Sequence, residues 1–253
     1  MKDLLSTVKE NRQIAENIFM LTVTLPEDVG EVHGGQFLNI STGDNSKLLR
    51  RPFGIVKKDG LDVSVCYQVK GEGTRTLSKT EAGAKLQVLL PLGNWFDLDE
   101  SKNIAVIGGG VGIFPLIATI TEHCKDKNFY SYIGFRNKGA MCLTEELEKS
   151  KTLKIVTDDG SFGEKGNSVQ AFLKDADKLN VDTIIACGPP IMLKVLKGEL
   201  ANRGIKTPCF VSLEERMGCG LGACLVCVCK KADGGNARVC RDGPVFEINE
   251  VAL

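Results

Sequence analysis

The chain is 253 residues long and carries 32 Lys and Arg against 32 Asp and Glu, so its formal charge is zero. At 43% hydrophobic and 25% charged residues it is ordinary globular material that can fold without disulfides, which excludes a disordered or fibrous chain. Neutrality excludes nucleic acid and anionic membranes as principal partners, because both select basic surfaces.

Taken in chain order, the first 99 residues read as short strands. Residues 19–25 and 61–65 alternate apolar and polar, and residues 36–40 are strand-like. Gly, Asp and Pro turns separate them at residues 26–30, Gly43-Asp44-Asn45, Lys58-Asp59-Gly60 and Glu81-Ala82-Gly83. Short strands spaced by turns predict a small antiparallel barrel. One helix is predicted over residues 74–79, with Thr74 as its N-cap.

The pattern changes at Ser101. Strands are predicted over residues 104–107, 129–135, 153–156 and 183–186, alternating with helices over 113–124, 144–149, 168–174 and 191–203. Such alternation of β and α predicts a parallel sheet with helices on both faces. Residues 104–121 hold no charge over 18 positions, the length of a membrane span. Gly108, Gly109, Gly110, Gly112 and Pro115 would break a helix there, so a buried strand, a glycine turn and a helix are expected instead. From Cys209 one more strand, 209–213, leads into a Gly- and Cys-rich tail. The expected division is 1–99, 101–208 and 209–253.

The start, MKDLLSTVKENRQ, lacks the apolar core of a secretory signal, so a reducing, cytoplasmic setting is expected and disulfides are not. The ten cysteines then need another role, and five of them fall after residue 218. Cys219, Cys224, Cys227 and Cys240 follow the spacing C-x4-C-x2-C-x12-C. That is the plant-type [2Fe–2S] arrangement. Gly218, Gly220 and Gly222 suit a loop that turns backbone N–H groups inward around sulfur. Zinc is the competing ligand, though structural zinc favours two C-x2-C pairs and only one is present. Cys229, two residues past Cys227, would point the other way on an extended segment and is expected to pack.

Gly108, Gly109, Gly110 and Gly112 follow a strand and open a helix, the context in which a helix N-terminus binds phosphate. Pro115 stands where a third glycine of the G-x-G-x-x-G fingerprint would be. Cys187-Gly188-Pro189 follows another strand, so both turns lie at the carboxyl edge of the sheet. In the first domain Arg51-Pro52-Phe53-Gly54 ends a loop, and Gly71-Glu72-Gly73-Thr74 precedes the short helix. An arginine and a glycine turn suit a pyrophosphate; a surface charge and a hairpin turn are the plain alternative. Thr157 to Gly163 is either a nicotinamide-lining segment or an ordinary polar turn. His33 and His123, the only histidines, are expected to have no catalytic part.

Together these motifs resemble the ferredoxin–NAD(P) reductase family. The tail, EERMGCGLGACLVCVC with RVCRDGPVF (238–246), resembles more narrowly the electron-transfer subunits of class 1B dihydroorotate dehydrogenases. The resemblance spans essentially the whole chain. It implies a Greek-key barrel that binds FAD through Arg51, Pro52, Phe53, Gly54, Cys66, Tyr67, Gln68, Gly73 and Thr74. It implies a sheet domain that binds NAD through Gly108, Gly109, Gly110, Gly112, Cys187, Gly188 and Pro189, and a [2Fe–2S] cluster on Cys219, Cys224, Cys227 and Cys240. Two residues depart from the family pattern. Gly54 replaces a usual Ser or Thr, leaving only a backbone N–H for the flavin, and Gln68 stands where Arg is common.

The resemblance further implies an FMN-containing dihydroorotate dehydrogenase catalytic subunit as partner, in a heterotetramer of two of each. Electrons would pass from that FMN through the cluster and FAD to NAD+. No residue set for dihydroorotate chemistry is apparent in this chain. The rival readings are the small subunit of another flavin and iron–sulfur oxidoreductase, such as an NADH-dependent ferredoxin–NADP reductase or sulfide dehydrogenase, and a zinc-stabilised NAD-binding module. The strand ending at Gly134-Phe135-Arg136 lacks the acidic residue that selects NAD, but the resemblance favours NAD.

Overall fold

In the computed structural model, which describes residues 1–44 and 46–253, the first ninety-two residues close into a six-stranded barrel. Asn45, the last residue of the turn expected at 43–45, lies outside the described residues. The strands are β1 (Lys2–Ala15), β2 (Ile18–Thr24), β3 (Phe37–Ile40), β4 (Arg51–Asp59), β5 (Asp62–Gln68) and β6 (Lys85–Leu92), in the spatial order β1-β2-β5-β4-β3-β6. Period-two alternation fills the interior: Leu21 and Val23, Leu38 and Ile40, Val63 and Val65, Leu86, Val88 and Leu90 form one buried cluster. Closure leaves the barrel with no open edge among the described residues.

The strand β4 takes in Arg51-Pro52-Phe53-Gly54, a stretch expected to end a loop. Ile55 N–H donates to Gln36 O at 3.0 Å, so Gly54–Phe37 and, two residues along, Pro52–Asn39 are non-hydrogen-bonded pairs. Pro52 therefore costs the ladder no bond. The short helix α1 (Glu72–Leu77) begins earlier than expected. Its N-cap is Gly71, and Thr74 lies inside the first turn, its Oγ1 accepting the N–H of Gly71 at 3.2 Å and of Lys70 at 3.0 Å. Glycine takes the extended N-cap while the hydroxyl reaches back, so the capping threonine acts from within the helix.

The second half is a seven-stranded sheet built from β7 (Asn103–Gly109), β8 (Asn128–Phe135), β9 (Thr152–Thr157), β10 (Glu164–Lys165), β11 (Thr183–Cys187) and β12 (Cys209–Ser212), with a later strand described below. Helices α2 (Ile113–His123), α3 (Thr144–Leu147), α4 (Ser168–Leu173) and α5 (Pro190–Asn202) connect them. The order β10-β9-β8-β7-β11-β12 is parallel throughout. Along β7, Ile104 and Val106 pack with Leu116, Ile117 and Ile120 of α2. Ala105 and Ile107 pack with Phe172 of α4 and Leu193 and Leu196 of α5. Both faces are covered, which is why these strands are continuously apolar. No helix is long and apolar enough to cross a membrane among the described residues.

The tail has more regular structure than expected: β13 (Val228–Lys230), β14 (Asn236–Arg238), α6 (Val239–Asp242) and β15 (Val245–Glu247). The strands β13 and β14 form a ribbon, while β15 adds antiparallel to β12 as the last strand of the large sheet. The cysteine loop is thus stitched into the sheet at both ends.

Candidate functional site

Between the outer wall of the barrel and the carboxyl edge of the sheet lies a cavity of about 490 Å³, in the size range of small-molecule sites. Ten of the sixteen residues expected at cofactors line it: residues 51–54 and 66–68, Gly73, Thr74 and Cys187. The strands β4 and β5 supply the barrel wall. From the sheet come Val111, Phe114 and Pro115 at the start of α2. Pro115 lies against Gly54, where an added Cβ would sit 3.7 Å from its ring.

The cavity suits a flavin with an anionic tail. A Cβ at Gly73 would land on the Arg51 guanidinium, so only glycine lets that cation lie across the start of α1. Lys70 and Lys47, the latter paired with Asp44 at 2.8 Å, add positive charge to the lining, which Glu72 partly offsets. Ring centroids of Phe53 and Tyr67 are 5.2 Å apart, and the Tyr67 hydroxyl is committed to Asn11 Oδ1 at 2.9 Å. The non-hydrogen-bonded pairing with Phe37 turns Gly54 N–H away from β3.

Gly108, Gly109, Gly110, Gly112, Gly188 and Pro189 do not line the cavity; they pack behind it at the sheet edge, where Gly112 meets Cys187 and Gly188. Gly110 takes the left-handed conformation (φ +55°), and a Cβ at Gly112 would sit 2.6 Å from Cys187 O and Gly188 N. The Met192 side chain fills the gap between Gly109 and Gly188. Burial, reinforced by Glu214, pushes the Cys187 thiol up, so it remains protonated. The turn after β9 closes on itself, with Phe162 N–H donating to Thr157 Oγ1 at 3.0 Å, and lies outside the cavity. His33 Nδ1 pairs with Glu122 at 2.5 Å on a separate face.

Sequence reasoning missed Glu214, Glu215 and Met217, which line the cavity directly after β12. The rule that ligands gather at the carboxyl ends of parallel strands was the available signal.

In the cysteine loop, Gly220 (φ +73°) and Gly222 (φ +77°) are left-handed. The loop turns backbone N–H groups onto sulfur: Leu221 donates to Cys219 Sγ (3.2 Å), Gly222 to Cys240 Sγ (3.1 Å), Cys219 to Cys224 Sγ (3.4 Å) and Cys240 to Cys227 Sγ (3.4 Å). Burial opposes ionisation of Cys219, but the N–H donors of Leu221, Cys224 and Ala223, together with the Cys224 thiol, outweigh it and bring the thiol down to about 6. Cys240, buried and bonded to Cys227, is pushed up to about 12.

These bonds tie the cysteines as two pairs, Cys219 with Cys224 and Cys227 with Cys240. Among the described residues no group of three or more Cys, His, Asp or Glu side chains converges on a single ion. Two thiolates per metal is what a two-iron cluster requires, and N–H donors to each sulfur fit such ligands. Arg238 braces the loop, donating to Gly222 O at 3.2 Å and to Asp242 at 3.0 Å. Cys229 sits half-buried against the core, apart from these pairs.

The family description "Iron-sulfur cluster binding domain of dihydroorotate dehydrogenase B" matches residues 214–252, and "Oxidoreductase NAD-binding domain" matches residues 106–197. The chain is 40% identical to the dihydroorotate dehydrogenase B (NAD(+)) electron transfer subunit of Streptococcus mutans, over 98% of this chain and 97% of that one. It is 37% identical to the Bacillus velezensis subunit of the same name, over 100% of both chains. Among solved structures it is similar to a chain of the NADH-dependent reduced ferredoxin-NADP oxidoreductase, with TM-score 0.85 and 29% identity over 98% of this chain and 90% of that chain. The cytochrome b5 reductase domain of Ulva prolifera nitrate reductase shares the fold, with TM-score 0.67 and 18% identity over 81% and 94% of the two chains.

Proposed function

The chain belongs to the family of dihydroorotate dehydrogenase B electron transfer subunits, and from that premise we propose which of its residues carry electrons between NAD+ and a catalytic partner. The observation that carries the reading is the pairing of four cysteines, each sulfur accepting a backbone N–H, beside a cavity shared by the barrel and the sheet. FAD occupies that cavity, NAD meets it over the glycine turns, and a [2Fe–2S] cluster is held by Cys219, Cys224, Cys227 and Cys240. When bound, FAD handles both the two-electron exchange with NAD and the one-electron exchange with the cluster, chemistry that belongs to the cofactors.

The chain's own residues position and shield. Arg51, laid across Gly73, holds the pyrophosphate, and Gly54 N–H faces the flavin ring. Phe114, Pro115 and the protonated Cys187 close the sheet side against water and take no proton. Gly112 lets the two sheet-edge turns meet, and those turns would hold the nicotinamide cofactor beside the cavity. The N–H groups of Leu221, Gly222, Cys219 and Cys240 stabilise thiolate ligands, raising the potential of what they hold.

Dihydroorotate chemistry belongs to an FMN-containing catalytic subunit, assembled two and two with this chain. Leu221, Leu225 and Val226 are exposed on the cysteine loop, and Leu225 reaches 62%. An apolar rim around the cluster loop is the face that meets that subunit. Four cysteines kept as cluster thiolates accord with a reducing cytoplasm. The division 1–99, 101–208 and 209–253 assigns flavin, nicotinamide and cluster to successive segments, with β12 and β15 tying the last two together.

The test is co-expression with the catalytic subunit. Dihydroorotate should reduce NAD+ only with both chains present. This chain alone should oxidise NADH with ferricyanide and carry flavin, iron and acid-labile sulfide. A purified chain with zinc and no sulfide, or with no flavin absorbance, would overturn the assignment.

A further inference from the structure

Asn39 lies in the middle of β3 and is fully buried, yet among the described residues neither its Nδ2 nor its Oδ1 has a hydrogen-bond partner. Leaving a buried polar group unsatisfied is costly, and the great majority in native proteins have a partner. The position of this amide says where the partner comes from. Leu38 and Ile40 face the barrel interior, so Asn39 faces outward with Phe37, Leu89 and Leu92. That outer face belongs to the same buried cluster as Cys227 and Cys240, and Gly220 rests on Asn39 and Leu92. A Cβ placed on Gly220 would fall on Asn39 Nδ2, so the amide rests directly on the backbone beside Cys219. On the strand, Asn39 is paired with Pro52, which lines the flavin cavity.

We propose that the Asn39 side-chain amide donates a hydrogen bond from Nδ2 to a sulfur of the [2Fe–2S] cluster at the Cys219–Gly220 end of the loop, and that this positioning residue sets the cluster's reduction potential from the barrel side. The inference rests on the cluster assignment above. Sulfide and thiolate only accept, so the –NH2 end is the end that serves them. A donor in a buried setting binds the reduced, more negative cluster more strongly than the oxidised one, which favours reduction. Gly220 has no side chain because one would occupy the space of this amide.

The experiment is an EPR-monitored redox titration of the loaded chain and of Asn39→Leu, which keeps the volume and removes the donor. Loss of the bond should lower the cluster's reduction constant about tenfold, about 59 mV for a one-electron couple, with the flavin potential and the iron and sulfide content unchanged. Parental potentials at both centres overturn the proposal, as does a shift confined to the flavin, which would assign the amide to the cavity across Pro52. Should Asn39→Leu fail to fold or to hold iron, the parent protein decides. Grown with asparagine labelled with 15N in the side chain, its reduced cluster should show a 15N coupling in pulsed EPR that the unlabelled protein lacks. A parent with cluster and no coupling refutes only the role of Asn39; a parent with no sulfide refutes the cluster assignment itself.

Discussion

Gly112 offers a substitution whose cost is read directly from the distances. Its backbone is ordinary right-handed (φ −64°), so alanine meets no conformational strain there. The whole penalty comes from the new Cβ, which would stand 2.6 Å from both Cys187 O and Gly188 N. Both are backbone atoms of the second sheet-edge turn and cannot rotate away. Overpacking of this kind costs about 1–3 kcal/mol. The stiffer unfolded chain returns about 0.4–1 kcal/mol. The net is a loss of about 1–2 kcal/mol, a fall in Tm of about 2–8 °C for a chain of this size. Gly198, exposed within α5 with nothing within 4 Å of its would-be Cβ, supplies the control. There alanine should stabilise by about 0.5–1 kcal/mol. The assay is thermal unfolding of the two variants at matched flavin and iron content, with NADH–ferricyanide kinetics. Gly112→Ala should also raise KM for NADH, because the two turns proposed to hold it are pushed apart, while Gly198→Ala leaves KM alone. Equal Tm changes of the same sign in the two variants would refute the close approach of the turns.

Three further outcomes are expected. Gly73→Ala drives the Arg51 guanidinium off α1; losing one charge-assisted contact of about 1.5–3 kcal/mol should weaken FAD binding about 10- to 100-fold in calorimetric titration of the flavin-free chain, and unchanged affinity would remove Arg51 from the flavin site. Cys224→Ser should abolish the cluster's EPR signal and halve or more the bound iron while flavin content and NADH–ferricyanide turnover persist; a parental signal would reject Cys224 as a ligand. The Lys154 ammonium, 2.6 Å away, holds the Asp175 carboxyl below its usual range despite burial, helped by the Tyr132 hydroxyl. A lowered folded-state value means stability present above the unfolded value of about 3.9 and lost as pH falls through the folded one. With Lys154 partly exposed, Asp175→Asn should cost only about 0.5–1 kcal/mol at pH 7, and the gap between urea melts of parent and variant should narrow as pH falls below about 3.9.

The parts of the site legible in the sequence were those held by local geometry. The cysteine spacing and the glycines between them encode one loop, and the glycine turns follow strands whose continuous apolar character marks a sheet buried on both faces. What escaped was set by contacts distant in sequence. The strand β1, KDLLSTVKENRQIA, shows no clean alternation because register shifts at Val8/Glu10 and Gln13/Ala15 turn its faces, and Leu5 is exposed. Pro52 and Gly54 read as loop punctuation, yet a non-hydrogen-bonded pairing with β3 admits both to a strand. The tail looked too short on regular structure to host β15 because that strand exists only by pairing with β12. Asn39, one polar residue in Phe37-Leu38-Asn39-Ile40, carries no sign of the glycine it touches.

The path of the chain explains why one small tail can serve both halves. After β12 it runs along the cavity through Leu213, Glu214, Glu215 and Met217, turns through the four cysteines, and returns past the cavity at Pro244 before entering β15. Outgoing and returning segments are tied where they pass, Leu213 N–H donating to Pro244 O at 2.9 Å. The barrel grips the same point. Asn94 N–H donates to Gly243 O at 2.7 Å, and its side chain donates to Val245 O and accepts Val245 N–H, each at 2.8 Å. Hydrogen bonds between partly buried groups of this kind are costly to leave unmade, so the cysteine loop has little freedom to move relative to either half. Fixed positions matter more here than reactive side chains do. With the hydride and electron chemistry residing in the cofactors, the chain's leverage lies in where it holds them and in which donors face them. A fold that anchors the cluster loop to the barrel through Asn94, to the sheet through β12 and β15, and against Asn39 from a third side exercises both.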